Sequence, residues 1–216
     1  MKKAVLFDMD GILYDSERFY LDNSLQVLRS LGYQGGEEPL YDLIGSSAEK
    51  TWKTLYDLLD GNYSRYEIEQ ACIARSEQYP LDYRAVMFED IPDTLERLYS
   101  HGIKMACCSS NMRKVIRESL DAMGIRKYFS FTVSAEEIER PKPEPDIYLL
   151  AAKRLNVLPE DCVVYEDSAM GIEAGKRAGM RVIARKDDRF GLDQSGADRL
   201  VTCAKEMADD VITGGM

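Results

Sequence analysis

The sequence predicts an α/β fold: a parallel sheet whose strands alternate with helices, interrupted by one all-helical insertion. Three observations carry that expectation. Short β-branched, apolar runs recur along the chain with helical pattern between them. The runs are apolar on both faces, as strands covered by helices on each side must be. One long interval, from Tyr14 to about Phe88, holds helical pattern and no convincing strand.

The first strand is Lys3–Phe7. Ser16 then stands where it can cap "ERFYLDNSLQVLRSLG", which Gly32 ends; "SAEKTWKTLYDLLDG" follows Ser47, and "SRYEIEQACIARSEQY" opens at Ser64. A simple crossover between parallel strands needs little more than a dozen residues. The interval is far longer, so residues 14–88 are expected to form a domain of their own, set into a core of 1–13 and 89–216. Open α/β sheets bind ligands beyond the carboxyl ends of their strands, and the insertion is expected to hang over that edge.

The alternation then resumes. Pro92 starts "PDTLERLYSHG", stopped by Gly102, and the strand Ile103–Cys108 follows. Asn111 opens "NMRKVIRESLDAMG", which Gly124 closes before the strand Phe131–Ser134. Pro145 lies near the start of "PDIYLLAAKRL", ahead of the strand Cys162–Glu166. Ser168 stands to cap "SAMGIEAGKRAG", and strands follow at Arg181–Ala184 and, more weakly, at Arg199–Thr202.

Composition narrows the function classes. At 216 residues and 45% hydrophobic, the chain suits one soluble domain with a large insertion. No apolar stretch approaches the ~20 residues of a membrane span, and the run after Lys2 and Lys3 is cut short by aspartates, unlike a signal peptide. Five cysteines with no CxxC pair point to reduced, mostly buried thiols in a cytoplasmic protein. A formal charge of −10 argues against nucleic acid or an anionic membrane as partner. No coiled coil or long apolar helix face is present, which points to a monomer.

The first strand ends in an unusual way. The apolar run Ala4–Phe7 delivers Asp8 and Asp10 with Met9 between them. Residues i and i+2 of an extended chain share a face about 7 Å apart, so the two carboxylates project together. Their repulsion raises one pKa unless a divalent cation such as Mg²⁺ relieves it. A lone Asp-x-Asp reads more simply as a polar turn, but the other strands end alike. Ile103–Cys108 runs into Ser109-Ser110-Asn111, Cys162–Glu166 into Asp167-Ser168, and Lys142 stands between prolines just before a helix. In a parallel sheet these positions share one edge. Carboxylates, hydroxyls beside a helix start and a lysine suit phosphoryl transfer, which needs positioning and charge neutralisation.

On these motifs the chain resembles the haloacid dehalogenase superfamily. "DMDGILYD", "ACCSSN", "RPKPEPDIY" and "VVYEDSAMGI" are similar to its four motifs, in order and across nearly the whole chain. The branch resembled holds β-phosphoglucomutase, phosphoglycolate phosphatase and sugar-phosphate phosphatases. The resemblance implies a Rossmann-like, doubly wound parallel sheet, with the helical insertion as a cap domain. It implies Asp8 as nucleophile forming an aspartyl-phosphate. Asp10 becomes general acid and then general base, its backbone carbonyl also binding Mg²⁺. The metal set becomes Asp8, Asp10, Asp167 and Glu166, the last directly or through water. Ser109 and Lys142 hold phosphoryl oxygens, with Ser110 and Asn111 assisting. Tyr14, Tyr20, Ser46, Ser47 and Lys50 are the candidate substrate contacts of the cap.

Other residues read as structure: Gly171 and Gly175 as close helix packing, His101 as a surface residue, Trp52 as cap core, Met123 and Met170 as packing. Pro141 stands where the third motif commonly has a small residue. Tyr20 and Ala48 fall where mutase-like members carry a histidine and an arginine, favouring a hydrolase over a phosphosugar mutase. Dehalogenases lack the second aspartate, so Asp10 argues against that activity. The expected function is a Mg²⁺-dependent phosphatase of a small phosphorylated metabolite, with a mutase as the alternative. A phospho-receiver signalling domain is roughly half this length and has no such insertion, so it is the remoter alternative. A catalytically dead binding module is disfavoured because every motif position carries a competent residue.

Overall fold

The computed structural model of the chain describes residues 2–44, 46 and 48–214. The described residues form six strands: β1 Ala4–Phe7, β2 Lys104–Ser109, β3 Phe131–Ser134, β4 Cys162–Glu166, β5 Arg181–Arg185 and β6 Arg199–Val201. The helices are α1 Glu17–Ser30, α2 Ala48–Leu58, α3 Arg65–Gln78, α4 Ile91–Ser100, α5 Arg113–Met123, α6 Asp146–Leu155, α7 Ala169–Arg177 and α8 Ala204–Thr213. All strand pairs are parallel, in the order β3-β2-β1-β4-β5-β6. The order reverses at β1, which makes the sheet doubly wound and places a crevice at the carboxyl ends of β1 and its neighbours.

The strands form where continuous apolar runs allow burial on both faces; β1 and β4 are buried at every position. Side chains alternate across the sheet. Ala4, Leu6, Cys108, Val133 and Val164 pack with Ile147, Tyr148 and Ala151 of α6 and with Ile172 and Ala174 of α7. The intervening residues face the other way; the Phe7 ring meets Phe129 and Tyr165 edge-on at 5.7 and 5.9 Å. Each fully buried large apolar side chain of this kind contributes roughly 1.5–3 kcal/mol. Gly175 reads as expected: a Cβ there would lie 2.7 Å from Val182 Cγ2, so glycine lets α7 lie directly on the sheet.

The chain divides into two compact units. The first, Met1–Asp15, Tyr83–Asp188 and Leu192–Met216, holds the sheet and α4–α8; the second, Ser16–Asp82 with Arg189–Gly191, holds α1–α3. The 14–88 boundaries therefore differ from the observed division. Tyr14 and Met87 bridge, and Asp15 N–H donates to the Val86 carbonyl at 2.9 Å, so both ends of the interval stay with the sheet.

In the helical unit, α1 buries Leu21, Leu25, Val27 and Leu28, and Leu55 and Ile68 are buried from α2 and α3. Ser64, where the sequence starts α3, forms a capping box with Glu67. A short 3-10 helix, Glu38–Leu43, is not among the expected elements; Pro39 stands in its first turn, after Gly35 and Gly36. Ser16 precedes α1 without a side-chain capping bond, and Ser47 lies outside the described residues.

Candidate active site

Because β2, β1 and β4 are neighbours, their carboxyl ends bring Ser109, Asp8 and Glu166 side by side. Asp8 N–H donates to the Tyr165 carbonyl at 2.9 Å, so the aspartate continues the strand ladder and its side chain is placed by the sheet itself. Lys142 arrives from the segment between β3 and α6. Its Nζ donates to Asp8 Oδ1 at 2.5 Å, to Glu166 Oε1 at 2.7 Å and to the Cys108 carbonyl at 3.4 Å. An ammonium has three protons, and all three are used.

This trio is dry. Asp8 and Lys142 are each 9% exposed and Glu166 is fully buried. Burial pushes the Asp8 carboxyl up to about 7; Lys142 pulls against that, while Glu166 and Asp10 push further upward. Burial also disfavours the Lys142 ammonium, but Asp8 and Glu166 outweigh it and hold the lysine well above its ordinary value. For Glu166, burial is overcome by Lys142 and by donors from Ser168 and Asp167, which keep the carboxyl below its usual range.

Glu166 is the anchor of the group. Oε1 accepts from Lys142 and from the Tyr148 hydroxyl at 3.0 Å; Oε2 accepts from Asp167 N–H, Ser168 N–H and the Ser168 hydroxyl. Ser168 also caps α7 by accepting from Gly171 N–H at 3.1 Å, as its place in the sequence suggests. A Cβ on Gly171 would fall 1.6 Å from Glu166 Oε1, so the first turn of α7 reaches the carboxylate only as glycine.

Asp8, Glu166 and Asp167 each present a carboxylate oxygen, all within 4.8 Å of one another. Such a set of hard oxygen donors fits Mg²⁺. Gly11 has φ +71°, and a Cβ there would lie 2.1 Å from Asp167 Oδ2, so glycine lets the backbone after Asp10 close on that carboxylate. Gln194, 7% exposed, holds the same turn by donating to the Asp167 carbonyl at 2.7 Å.

Beyond the tip of β1 the site is wetter. Asp10 and Asn111 are half-buried, and Asn111 Nδ2 donates to Asp10 Oδ2 at 2.6 Å. Ser109, 1% exposed, accepts from Asn111 N–H at 3.1 Å. Asn111 therefore does not open α5, which begins two residues later behind Met112; its amide is spent inside the site. Ser110 is exposed.

Tyr14, expected as a substrate contact of the insertion, is fully buried in the α/β unit and donates to Asp10 Oδ1 at 2.9 Å. Tyr20, Ser46 and Lys50 belong to the helical unit, and Ser47 lies outside the described residues. His101 is an exposed residue whose ring Nδ1 meets the Arg97 carbonyl at 2.8 Å. Sequence reasoning gave no role to Tyr148 or Gln194. Tyr148 stands inside a motif, six residues after Lys142; Gln194 carries no local signal, because a loop after β5 delivers it.

Residues 5–185 match the family model described as haloacid dehalogenase-like hydrolase. The phosphorylated carbohydrates phosphatase of Thermotoga maritima is 32% identical over 205 residues, covering 92% of this chain and 94% of the relative. Hexitol phosphatase B of Escherichia coli is 31% identical over 197 residues, 88% of each chain. The crystal structure of β-phosphoglucomutase from Clostridium difficile shares the fold, with a TM-score of 0.77 at 22% identity over 99% of this chain and 98% of that one. With its doubly wound sheet and its cluster of aspartates and lysine at the strand ends, the chain belongs to the haloacid dehalogenase-like hydrolases.

Proposed function

We propose that the chain is a Mg²⁺-dependent phosphatase that hydrolyses a small, sugar-phosphate-like metabolite through an aspartyl-phosphate on Asp8. The observation that carries this reading is the 2.5 Å contact of Asp8 with Lys142 at the strand edge, two residues from a second aspartate. Asp8 attacks phosphorus and the ester P–O bond breaks; Asp10 gives its proton to the departing alkoxide. Asp10 then takes a proton from water, which attacks the same phosphorus and breaks the bond to Asp8, releasing inorganic phosphate. Lys142 offsets the negative charge gathered around Asp8, and Ser109 and Ser110 orient phosphoryl oxygens while Asn111 holds Ser109 and Asp10 in place.

Asp8, Asp167 and the Asp10 carbonyl would hold Mg²⁺. The five donors on Glu166 already fill the roughly four lone-pair positions of a carboxylate, so its main part is to anchor Lys142 and any part toward the cation runs through water. When bound, the cation neutralises phosphate charge and lets the clustered carboxylates stay ionised. The helical unit serves as cap and chooses the substrate, with Tyr20, Ser46 and Lys50 as its candidate contacts. Relatives named for phosphorylated carbohydrates and hexitols support a polyol or sugar phosphate.

The test is phosphate release from a panel of hexose, hexitol and pentose phosphates, with Mg²⁺ and with chelator, for the native chain and Asp8→Asn. Release that needs both metal and Asp8 is expected. No release from any ester by a folded protein would overturn the phosphatase, and isomerised sugar phosphate in place of inorganic phosphate would establish a mutase.

A further inference from the structure

Asp10 is gripped on both oxygens. The Tyr14 hydroxyl donates to Oδ1 at 2.9 Å and Asn111 Nδ2 to Oδ2 at 2.6 Å. Tyr14 returns to Asp10 because the chain makes one turn after β1: Leu13 N–H donates to the Met9 carbonyl at 2.8 Å, and Gly11 N–H to the Tyr14 carbonyl at 3.0 Å. The ring cannot swing. It is fully buried, meets Tyr83 edge-on at 5.2 Å, and its backbone is bridged to Met87. Asn111 is tied as firmly, through its own N–H and its amide on Ser109 Oγ at 3.1 and 3.3 Å.

We propose that Tyr14 is a positioning residue: with Asn111, its hydroxyl fixes the orientation of the Asp10 carboxyl toward the leaving group and then toward water. This rests on the phosphatase reading. The terminal torsion of an aspartate is broad and soft, so an untethered carboxyl samples many orientations. Proton transfer requires the acid within about 2.6–3.2 Å of its target, and a misplacement of about 1 Å can cost on the order of a hundredfold in rate. Phenylalanine would fill the same buried space. The hydroxyl is what tyrosine adds, and a buried hydroxyl is tolerated only with a partner; here a partner is Asp10.

The test compares Tyr14→Phe with the native chain on 4-nitrophenyl phosphate, whose leaving group departs without a proton, and on glycerol phosphate, whose alkoxide needs one. The kcat/KM ratio isolates transfer to Asp8. On glycerol phosphate it should fall about 10–100-fold, and on 4-nitrophenyl phosphate no more than about threefold, with half-saturating Mg²⁺ unchanged. Asn111→Ala, with Tyr14 intact, also frees Ser109, so it should lower kcat/KM on both esters, and by about tenfold more on glycerol phosphate than on 4-nitrophenyl phosphate. In an Asp10→Asn background, Tyr14→Phe should add no further loss. An equal loss on both esters, or none on either, overturns the positioning role. Absence of Asp8-dependent release from either ester by the native chain overturns the phosphatase reading itself, and the inference with it.

Discussion

The two flanks of Asp8 are built on opposite principles. On the β4 side, Lys142, Glu166 and Tyr148 form a dry, fully bonded cluster that the sheet and α6 enclose. On the side of the turn after β1, Asp10 and Asn111 are half-buried, and Tyr14 and Asn111 donate to the Asp10 carboxylate. The difference teaches which groups must be immovable and which must be reached. A charge that offsets the nucleophile acts best where water cannot screen it. On the proposed reading, Lys142 is that offsetting charge, and Asp10, which passes protons to an alcohol and takes them from water, must meet both.

Breaking the dry flank should have the largest effect. Lys142→Met leaves Asp8 and Glu166 buried without a counter-charge, and breaking such a pair costs about 3–5 kcal/mol. For a chain of this size that is a loss of roughly 10 °C in Tm, and phosphate release should fall on the order of a thousandfold. Asp10→Asn should instead separate the two properties: kcat drops about 10²–10⁴-fold, while Tm moves by no more than about 3 °C. Equal thermal losses in the two variants would erase the contrast.

Acidity sharpens the comparison further. The Asp8 carboxyl is raised from its ordinary 3.8 to about 7, so on its account the cation-free fold loses stability as pH climbs through that range. The Glu166 value is lowered, so its contribution is present above its ordinary 4.5 and lost as pH falls. On the proposed reading, Mg²⁺ needs Asp8 ionised. Its apparent affinity, read from the rise in Tm on adding the cation, should fall roughly tenfold per pH unit below about 7. An affinity flat from pH 5 to 8 would show that Asp8 is ionised throughout.

How much of this was legible in the sequence follows from where each signal lives. The strands were, because runs such as Ala4–Phe7 and Cys162–Glu166 are apolar throughout and bounded by polar turns. The clustering of Asp8, Ser109, Lys142 and Glu166 followed from the parallel sheet, which brings all strand ends to one edge. The place of Tyr14 did not. Its spacing of four residues from Asp10 says nothing until the turn after β1 closes, and its place at the start of the insertion put it among the substrate contacts of the cap. Asn111 stands at a strand end and before a helix alike, and the sequence does not say which claims its amide; here Asp10 does, and the helix begins at Arg113. Gln194 was invisible because its target, the Asp167 carbonyl, is 27 residues away in sequence.

The smallest expected effect is also the cleanest measure of the contrast. Tyr148 and Tyr14 are both fully buried, and each donates a hydroxyl to a carboxylate of the site. The Tyr148 bond is one of five on Glu166, whereas the Tyr14 bond holds one oxygen of Asp10 while Asn111 holds the other. Tyr148→Phe keeps the ring, whose centroid lies 5.0 Å from Lys142 Nζ, and leaves Glu166 with four donors. Its cost should be about 1 kcal/mol of stability, read by urea melts, with kcat reduced no more than about threefold. If Tyr148→Phe instead slowed turnover as much as Tyr14→Phe does, the five bonds on Glu166 would not be redundant, and the dry flank would be as finely poised as the wet one.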